Sequence, residues 1–235
     1  MDRTKLKQSA KQCLSGNSKL YLIYLLFFVV LLLCSYIPVI QSVSFIINIF
    51  LMFMMISITF NVAKGNPVDI NVSSTYLGRY LLSYLLQFLI NLLPSIFMTM
   101  AASAAIFSIL SSVWSAELFS PGIDPAMGVI PYNFIIISFI LGVIGFIAAI
   151  FISLLLFPVA YLSIDESFEG KATDCICTAV KMMKGKKMEL FILQLSFIPW
   201  LLLCIITCGI AFIYVAPYMQ LTYCKYYLQL KESND

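Results

Sequence analysis

The chain has 235 residues, of which 62% are hydrophobic and 11% are charged, and its formal net charge is +3. Soluble domains carry about 25% charged residues, so this composition excludes a water-soluble fold and predicts that lipid surrounds most of the chain. Histidine is absent, which excludes histidine-based catalysis and imidazole metal ligands.

The first predicted element is an amphipathic helix over residues 1–19. Leu6, Ala10, Cys13 and Leu14 recur at the spacing of one helical face, lysines surround them, and Gly16 is a suitable helix end. A basic amphipathic helix is typical of a segment that lies on the anionic inner surface of a membrane.

Six apolar runs follow, and a crossing of a hydrocarbon core about 30 Å thick needs about 20 helical residues. The predicted spans are residues 20–37, 43–63, 80–113, 129–162, 188–206 and 210–230. The third run exceeds one perpendicular crossing, and Pro94 predicts a kink within it. Thr207-Cys208-Gly209 separates the last two runs, for which a re-entrant hairpin is the alternative to two crossings. The sequence therefore predicts an all-α membrane protein with six transmembrane helices in a single polytopic domain, residues 1–235.

The fourteen lysine and arginine residues all fall in segments that lie on one side of the membrane if the chain crosses six times. Short cytoplasmic loops collect positive residues, so both termini are expected in the cytoplasm. The connection between spans 4 and 5 is predicted to contain a cytoplasmic interfacial helix. Because the basic residues lie between membrane segments rather than on a soluble face, no nucleic-acid partner is expected.

The predicted spans contain no ionisable residue near their centres, and their polar side chains are neutral. Gln87 and Asn91 are four residues apart on one helix face, and Gln194 lies in the fifth span. These three residues are candidates for a polar pathway, and interhelical hydrogen bonding is the commoner use of such side chains.

Small residues are repeated in the third and fourth spans. Ser95, Thr99 and Ser103 recur every four residues in the third span, and Gly145 and Ala149 do so in the fourth. Small residues allow the backbones of two helices to approach closely in a membrane. The pattern predicts a tight contact between these two spans.

Charged residues of both signs lie in the connection after the fourth span. The acidic residues are Asp165, Glu166, Glu169 and Asp174, and the basic cluster consists of Lys181, Lys184, Lys186 and Lys187. Carboxylates of this kind can bind Mg²⁺ or Ca²⁺, but a solvated helix start is the favoured interpretation, and no metal or cofactor is expected. The lysines are candidates for contact with anionic lipid, at about 1 kcal/mol each.

Four tyrosines close to the C-terminus are interpreted as an interfacial aromatic belt. They are Tyr218, Tyr223, Tyr226 and Tyr227.

The last third of the chain resembles a bacterial membrane family catalogued as domain of unknown function 975. The resemblance is carried by Met182-Met183-Lys184-Gly185, Leu190-Phe191, Leu195-Ser196-Phe197-Ile198-Pro199-Trp200, Thr207-Cys208-Gly209-Ile210, Ala216-Pro217-Tyr218 and Tyr226-Tyr227. Two residues depart from the family pattern: Pro199 stands where Gly is usual, and Tyr226 where Phe is usual.

This resemblance assigns a structural role to the signature residues Gly185, Trp200, Gly209, Pro217 and Tyr218. The family distantly resembles the membrane region found beside glycerophosphodiester phosphodiesterase domains. What the resemblance implies is a six-span bacterial plasma-membrane protein without an assigned reaction.

Two functions from different classes are consistent with these features. The first is a non-enzymatic accessory, scaffold or immunity-like protein that binds a membrane-protein partner, or a second copy of itself, within the lipid bilayer. The alternative is a transporter or permease-like subunit for a neutral, lipid-like or peptide solute. A membrane enzyme is disfavoured, and no catalytic residue is predicted, because the chain offers no histidine, no buried acid pair and no nucleophile beside a base.

Overall fold

The computed structural model describes residues 3–36, 44–68, 76–118, 132–207 and 209–233. Within these ranges the chain forms ten helices and no strand, in agreement with the predicted all-α class. The helices are α1 (Arg3–Gly16), α2 (Lys19–Tyr36), α3 (Ser44–Ala63), α4 (Leu77–Leu118), α5 (Tyr132–Leu156), α6 (Val159–Ile164), α7 (Ala172–Met182), α8 (Lys187–Leu195), α9 (Ile198–Ile206) and α10 (Phe212–Glu232).

The chain divides into two compact units. The first unit comprises Met1–Tyr84 and Leu155–Asp235, and the second unit comprises Leu85–Leu154. The prediction of a single membrane domain stays a prediction.

Helix α10 lies at the centre of the first unit, where it packs against α1, α2, α3 and α9. Its inward-facing side chains are among the most completely buried of the described residues, including Leu221, Tyr227 and Leu230 at 0% exposure. A helix that is covered by other helices does not need an apolar surface on every side, which explains the polar and aromatic composition of α10.

The amphipathic helix predicted at the N-terminus is confirmed as α1. Its apolar residues Leu6, Ala10 and Leu14 are buried, and α1 packs against α10 and α3. Protein therefore covers this apolar face, and the expectation that α1 lies on the inner surface of the membrane stays a prediction.

The prediction of an aromatic belt near the C-terminus is also wrong for most of its tyrosines. Tyr218, Tyr226 and Tyr227 are buried inside the first unit. The Tyr227 ring lies 5.7 Å from the Phe60 ring and 5.3 Å from the Tyr161 ring, measured between centroids. Such pairs contribute about 0.5–1.5 kcal/mol beyond their buried area, so these tyrosines stabilise helix packing.

Helix α5 packs closely on α4 in the second unit. This confirms the predicted contact between the third and fourth apolar runs at Gly145, but not at Ser95, Thr99 and Ser103, which are exposed. Gly145 is buried, and a Cβ atom placed on it lies 2.9 Å from the Cβ of Phe97 and 3.2 Å from the carbonyl oxygen of Pro94. A Cβ on Gly142 lies 2.6 Å from the Cβ of Ala101. Only glycine fits at either position without a shift of the neighbouring helix.

Four helical segments among the described residues are long and apolar enough to cross a membrane. They are Ile46–Ala63, Leu77–Phe107, Ile136–Ile164 and Lys187–Ile206. A fifth span exists if α1 and the first part of α2, which meet at 88°, are counted together. Helix α10, predicted as a span over residues 210–230, is not among these candidates. Six spans are therefore not confirmed, and the predicted span ends at residues 37, 43 and 129–131 lie outside the described residues.

The last apolar block forms three helices, whereas the sequence predicted two. An additional turn at Ser196 and Phe197 separates α8 from α9. Pro199 is the second residue of α9 and has no N–H to continue the hydrogen bonding of α8. The predicted break after α9 is present, with Thr207 and Gly209 in turns, although Cys208 lies outside the described residues.

We expect Gly145→Ala to destabilise the second unit, because overpacking a close helix contact costs about 1–3 kcal/mol. Gly78→Ala is the matched control, since Gly78 also lies in a helix and a Cβ there meets nothing within 4 Å. The measurement is the thermal midpoint of the helical circular dichroism signal in detergent. Equal midpoints for the two variants would contradict the close contact.

Candidate functional site

A buried carboxylate, Asp165, follows the C-terminal end of α6. Its side chain is 1% exposed, and two lysines neutralise it. Lys64 Nζ lies 3.2 Å from Oδ1, and Lys231 Nζ lies 2.7 Å from Oδ2. Lys64 comes directly after α3 and Lys231 lies in the last turn of α10, so one carboxylate joins the ends of three helices.

Two hydroxyl groups complete the hydrogen bonding of the Asp165 carboxylate. The Tyr227 hydroxyl donates to Oδ2 over 3.0 Å, and the Ser167 hydroxyl donates to Oδ1 over 3.0 Å. Lys231 Nζ also donates to the Ser167 hydroxyl. A buried charge is tolerated only when it is paired and hydrogen-bonded, and Asp165 meets both requirements.

Arg79, at the start of α4, fixes the backbone around the same carboxylate. Its guanidinium donates to the carbonyl oxygens of Ser163 at 2.8 Å, Asp165 at 2.9 Å and Phe168. The last carbonyls of a helix have no partner within that helix, so the guanidinium caps α6. We call Lys64, Arg79, Asp165, Tyr227 and Lys231 the charged cluster.

The charged cluster holds Asp165 in its ionised form. Burial by itself raises the pKa of Asp165, but the hydrogen bond from Lys231 and the positive charges of Lys64 and Lys231 outweigh burial and lower the pKa to about 2. With this pKa, and with hydrogen bonds from the side chains of Lys64, Lys231, Tyr227 and Ser167, the carboxylate is a poor proton acceptor at neutral pH. Its chemistry is therefore that of a fixed negative charge that positions helices.

The four acidic residues of the run 165–174 have different environments in the structure. Glu166 and Glu169 are exposed, while the Asp174 carboxylate accepts a hydrogen bond from the Lys171 backbone N–H at 2.9 Å. The interpretation of this acidic run as a solvated helix start is wrong for Asp165, which is buried and ends α6. Among the described residues, no group of three or more His, Cys, Asp or Glu side chains is placed to hold a metal ion.

The three residues predicted to line a polar pathway lie in different units. Gln87 and Asn91 are on α4 in the second unit, and Gln194 is on α8 in the first. Asn91 Nδ2 donates to the backbone oxygen of Gln87 at 2.9 Å, so this amide is satisfied within its own helix. The pathway stays a prediction.

The predicted lipid-contacting lysines occupy the end of α7, the turn that follows and the start of α8. Lys181 and Lys184 are exposed, and Lys186 and Lys187 are partly exposed. The backbone oxygen of Lys186 accepts a hydrogen bond from the Tyr226 hydroxyl at 3.3 Å, which ties this turn to α10. Their contact with anionic lipid stays a prediction.

The five signature residues occupy turns and ring contacts. Gly185 and Gly209 have φ angles of +80° and +89°, which favour glycine because other residues pay a steric cost there. Pro217 is buried in α10, and the Trp200 ring lies 5.9 Å from the Tyr218 ring between centroids. Their role as a structural family signature stays a prediction.

An apolar groove of about 320 Å³ lies between α2, α3 and α10. Met52, Met55 and Phe212 contribute to its apolar wall, and Asn48 and Gln220 supply polar groups. A site with these properties suits a neutral, elongated molecule better than a charged one.

Sequence reasoning missed the partners of Asp165. In the sequence, Lys64, Arg79 and Lys231 indicate only the orientation of the chain, and Tyr227 resembles part of an aromatic belt. The available signal was that each of these basic residues lies beside an apolar run. Each of those runs also has an aromatic residue near the same end. That signal does not name the acid with which they pair.

A protein-family model described as protein of unknown function (DUF975) matches residues 1–234 of the chain. Comparisons with curated proteins and with solved structures find no match. The distant resemblance to the membrane region beside glycerophosphodiester phosphodiesterases stays a prediction.

We expect Asp165→Asn to lower the free energy of unfolding by about 2–4 kcal/mol. Removing one partner of a buried ion pair costs about 3–5 kcal/mol, and the cost is reduced here because Lys64 and Lys231 are 31% and 29% exposed. Thermal unfolding can be followed with a thiol-reactive dye, since Cys175, Cys204 and Cys224 are free and buried. Glu166→Gln, at the exposed neighbouring position, is the matched control.

The same experiment has a defined pH dependence. The pKa of Asp165 is lower in the folded protein, at about 2, than the ordinary value of 3.8, so its ionisation stabilises the fold above about pH 4. The difference between wild type and Asp165→Asn must shrink as the pH falls from about 4 to about 2. A difference that is absent at pH 7 would contradict the stabilising role of the charged cluster.

Proposed function

The chain belongs to the DUF975 family of proteins of unknown function, and from this premise we propose that it is a non-enzymatic plasma-membrane protein that binds a second membrane protein. The observation that carries the proposal is a row of small hydroxyl side chains on α4, formed by Ser95, Thr99 and Ser103. All three side chains are exposed in the described part of the chain.

The small-hydroxyl row lies on a different face of α4 from the contact with α5. Helix α5 packs on the face that carries Phe97 and Ala101. Thr99 is two residues from Ala101. At 100° per residue the two side chains are separated by about 200°, which is roughly 160° by the shorter way around the helix. One small-residue face of α4 is therefore occupied within the second unit, and the other is exposed.

The hydroxyl groups of the row are compatible with a membrane interface. Ser95, Thr99 and Ser103 each donate to a backbone carbonyl oxygen three residues earlier, at 2.8, 3.0 and 2.9 Å. Their hydrogen bonds are thus satisfied without a partner, and their small size allows another helix to approach the backbone closely. This supports a helix of a membrane-protein partner, or of a second copy, as the bound element.

The non-enzymatic part of the proposal is supported by the absence of histidine from the sequence. It is also supported by the state of Asp165, whose carboxylate oxygens are occupied by Lys64, Lys231, Tyr227 and Ser167.

We further propose six crossings with both termini in the cytoplasm, with α2 and α10 as the first and last spans. Support comes from the charged cluster, which brings together the end of α3, the start of α4, the end of α6 and the end of α10. These ends must lie on one side of the bilayer. They carry Lys64, Arg79 and Lys231, and positive residues favour the cytoplasmic side.

The orientation is tested with single-cysteine variants and a membrane-impermeant maleimide. Cys177 is exposed on α7, and we expect a protein that keeps only this cysteine to be labelled after permeabilisation but not in intact cells. Ser120→Cys is the opposite control, because Ser120 lies between the predicted spans 80–113 and 129–162, in a connection that six crossings with cytoplasmic termini place outside the cell. Labelling of Cys177 in intact cells would reverse the orientation.

Partner binding is tested by photo-crosslinking in cells with a photoreactive amino acid at Ser103. We expect one protein adduct of defined mass, and co-expression of two differently tagged copies tells a second copy from another protein. Thr99→Phe should remove the adduct because the added ring blocks close approach, whereas Thr99→Val keeps the shape and should retain it.

Met100→Phe is the bulk control, since Met100 is 56% exposed and adjacent to the row. The proposal fails if no protein adduct forms at Ser103. It also fails if Met100→Phe removes the adduct as completely as Thr99→Phe does.

The groove between α2, α3 and α10 favours the transporter as the second candidate. Its apolar wall with Asn48 and Gln220 suits a neutral, lipid-like solute. Native mass spectrometry that finds a bound neutral lipid, lost in Ala216→Trp at the groove wall, would favour this alternative over partner binding.

A further inference from the structure

A basic cavity of about 480 Å³ lies against α1 in the first unit. Arg3, Lys7 and Lys11 line it at intervals of four residues, and Gln8 and Ser196 add polar groups. Among the described residues that line it, none carries a carboxylate. We propose that this cavity binds the phosphate group of an anionic phospholipid headgroup.

The cations of this cavity are positioned by packing. Leu6, Ala10 and Leu14, on the neighbouring face of α1, are at most 2% exposed and fix the rotation of the helix. Lys7 Nζ donates to the backbone oxygen of Ser196 at 3.3 Å and lies 4.5 Å from the centroid of the Phe197 ring. Lys7 is therefore held at the cavity wall and keeps further N–H donors for a ligand.

The arrangement matches the chemistry of a phosphate group. Three cations on successive turns are spaced roughly 6 Å apart along the helix axis, so they line one side of the cavity with a row of positive charge. Arginine binds phosphate oxygens through two parallel hydrogen bonds, and lysine acts as a point charge. A volume of about 480 Å³ falls in the range of small-molecule sites, about 300–1,000 Å³.

The angle between α1 and α2 favours a lipid as the source of the phosphate. The two helices meet at 88°. Where α2 crosses the bilayer, α1 runs along the membrane surface at the depth of the headgroups, where anionic lipids attract basic side chains. Arg3 also lines a separate cavity that contains Glu189. Lys7 and Lys11 line only the basic cavity of these two, so they are the residues to substitute in a test of this site.

The test is native mass spectrometry of the full-length protein in a neutral detergent, titrated separately with phosphatidylglycerol, phosphatidylcholine and inorganic phosphate. We expect at least tenfold preference for phosphatidylglycerol over phosphatidylcholine. The variant Lys7→Gln/Lys11→Gln should lose at least tenfold in phosphatidylglycerol affinity. Lys19→Gln/Lys171→Gln removes the same charge at two exposed lysines outside both basic clusters and should stay within twofold of wild type.

A variant with one substitution controls for the possibility that the double variant does not fold. Lys11 is exposed, so Lys11→Gln leaves the contacts of Lys7 with Ser196 and Phe197 in place, and we expect about a threefold loss of affinity. Protection of the buried cysteines from a thiol reagent confirms that each variant is folded.

Each outcome decides the proposal. Binding of inorganic phosphate that depends on Lys7 and Lys11, without binding of phosphatidylglycerol, keeps the phosphate site and assigns it to a free ligand. Equal loss in the two double variants, or equal binding of phosphatidylcholine, overturns it. None of these results depends on whether α4 binds a partner.

Discussion

The structure of the first unit depends on one buried negative charge and the cations that neutralise it. Asp165 is held by Lys64 and Lys231 and by the Tyr227 hydroxyl, and Arg79 caps the helix that carries it. A carboxylate in this position is costly if it is unpaired, so the helix ends that supply its partners must meet there. The ionic contacts thereby fix which helix ends lie together, whereas the apolar surfaces alone permit many arrangements.

Part of this fold could be predicted from the sequence because it follows from local properties. Apolar runs and the 3.6-residue period located the helices, including α1, and the small residue Gly145 located the contact of α4 with α5. Gly209, which adopts a left-handed conformation, marked the break between the last two apolar runs. These features require knowledge of only a few neighbouring residues.

The rest depended on contacts between distant parts of the chain. Asp165 pairs with Lys231 and Lys64, which are 66 and 101 residues away in sequence, and nothing in the acidic run 165–174 indicates those partners. The same limit applies to α10, whose tyrosines resemble an interfacial belt in sequence but are buried. Hydropathy reports how well a segment suits lipid, and it does not report which helix is enclosed by the others.

The two units present different chemistry for function. Many large apolar side chains of α4 and α5 in the second unit are exposed, including Leu93, Phe107 and Phe139, so this unit offers apolar and small-residue surface to lipid or to another helix. The first unit carries the charged cluster and the basic cavity beside α1. The proposed partner binding and the proposed headgroup binding therefore involve separate sets of side chains and separate physical forces.

The most direct test of this account is a double-mutant cycle between Asp165 and Lys231, measured as the free energy of unfolding. Asp165→Asn, Lys231→Gln and the double variant are compared with wild type, and a direct buried interaction predicts a coupling energy of about 1–3 kcal/mol. Additive effects, with coupling below about 0.5 kcal/mol, would contradict the claim that this charge pair holds the helix ends together.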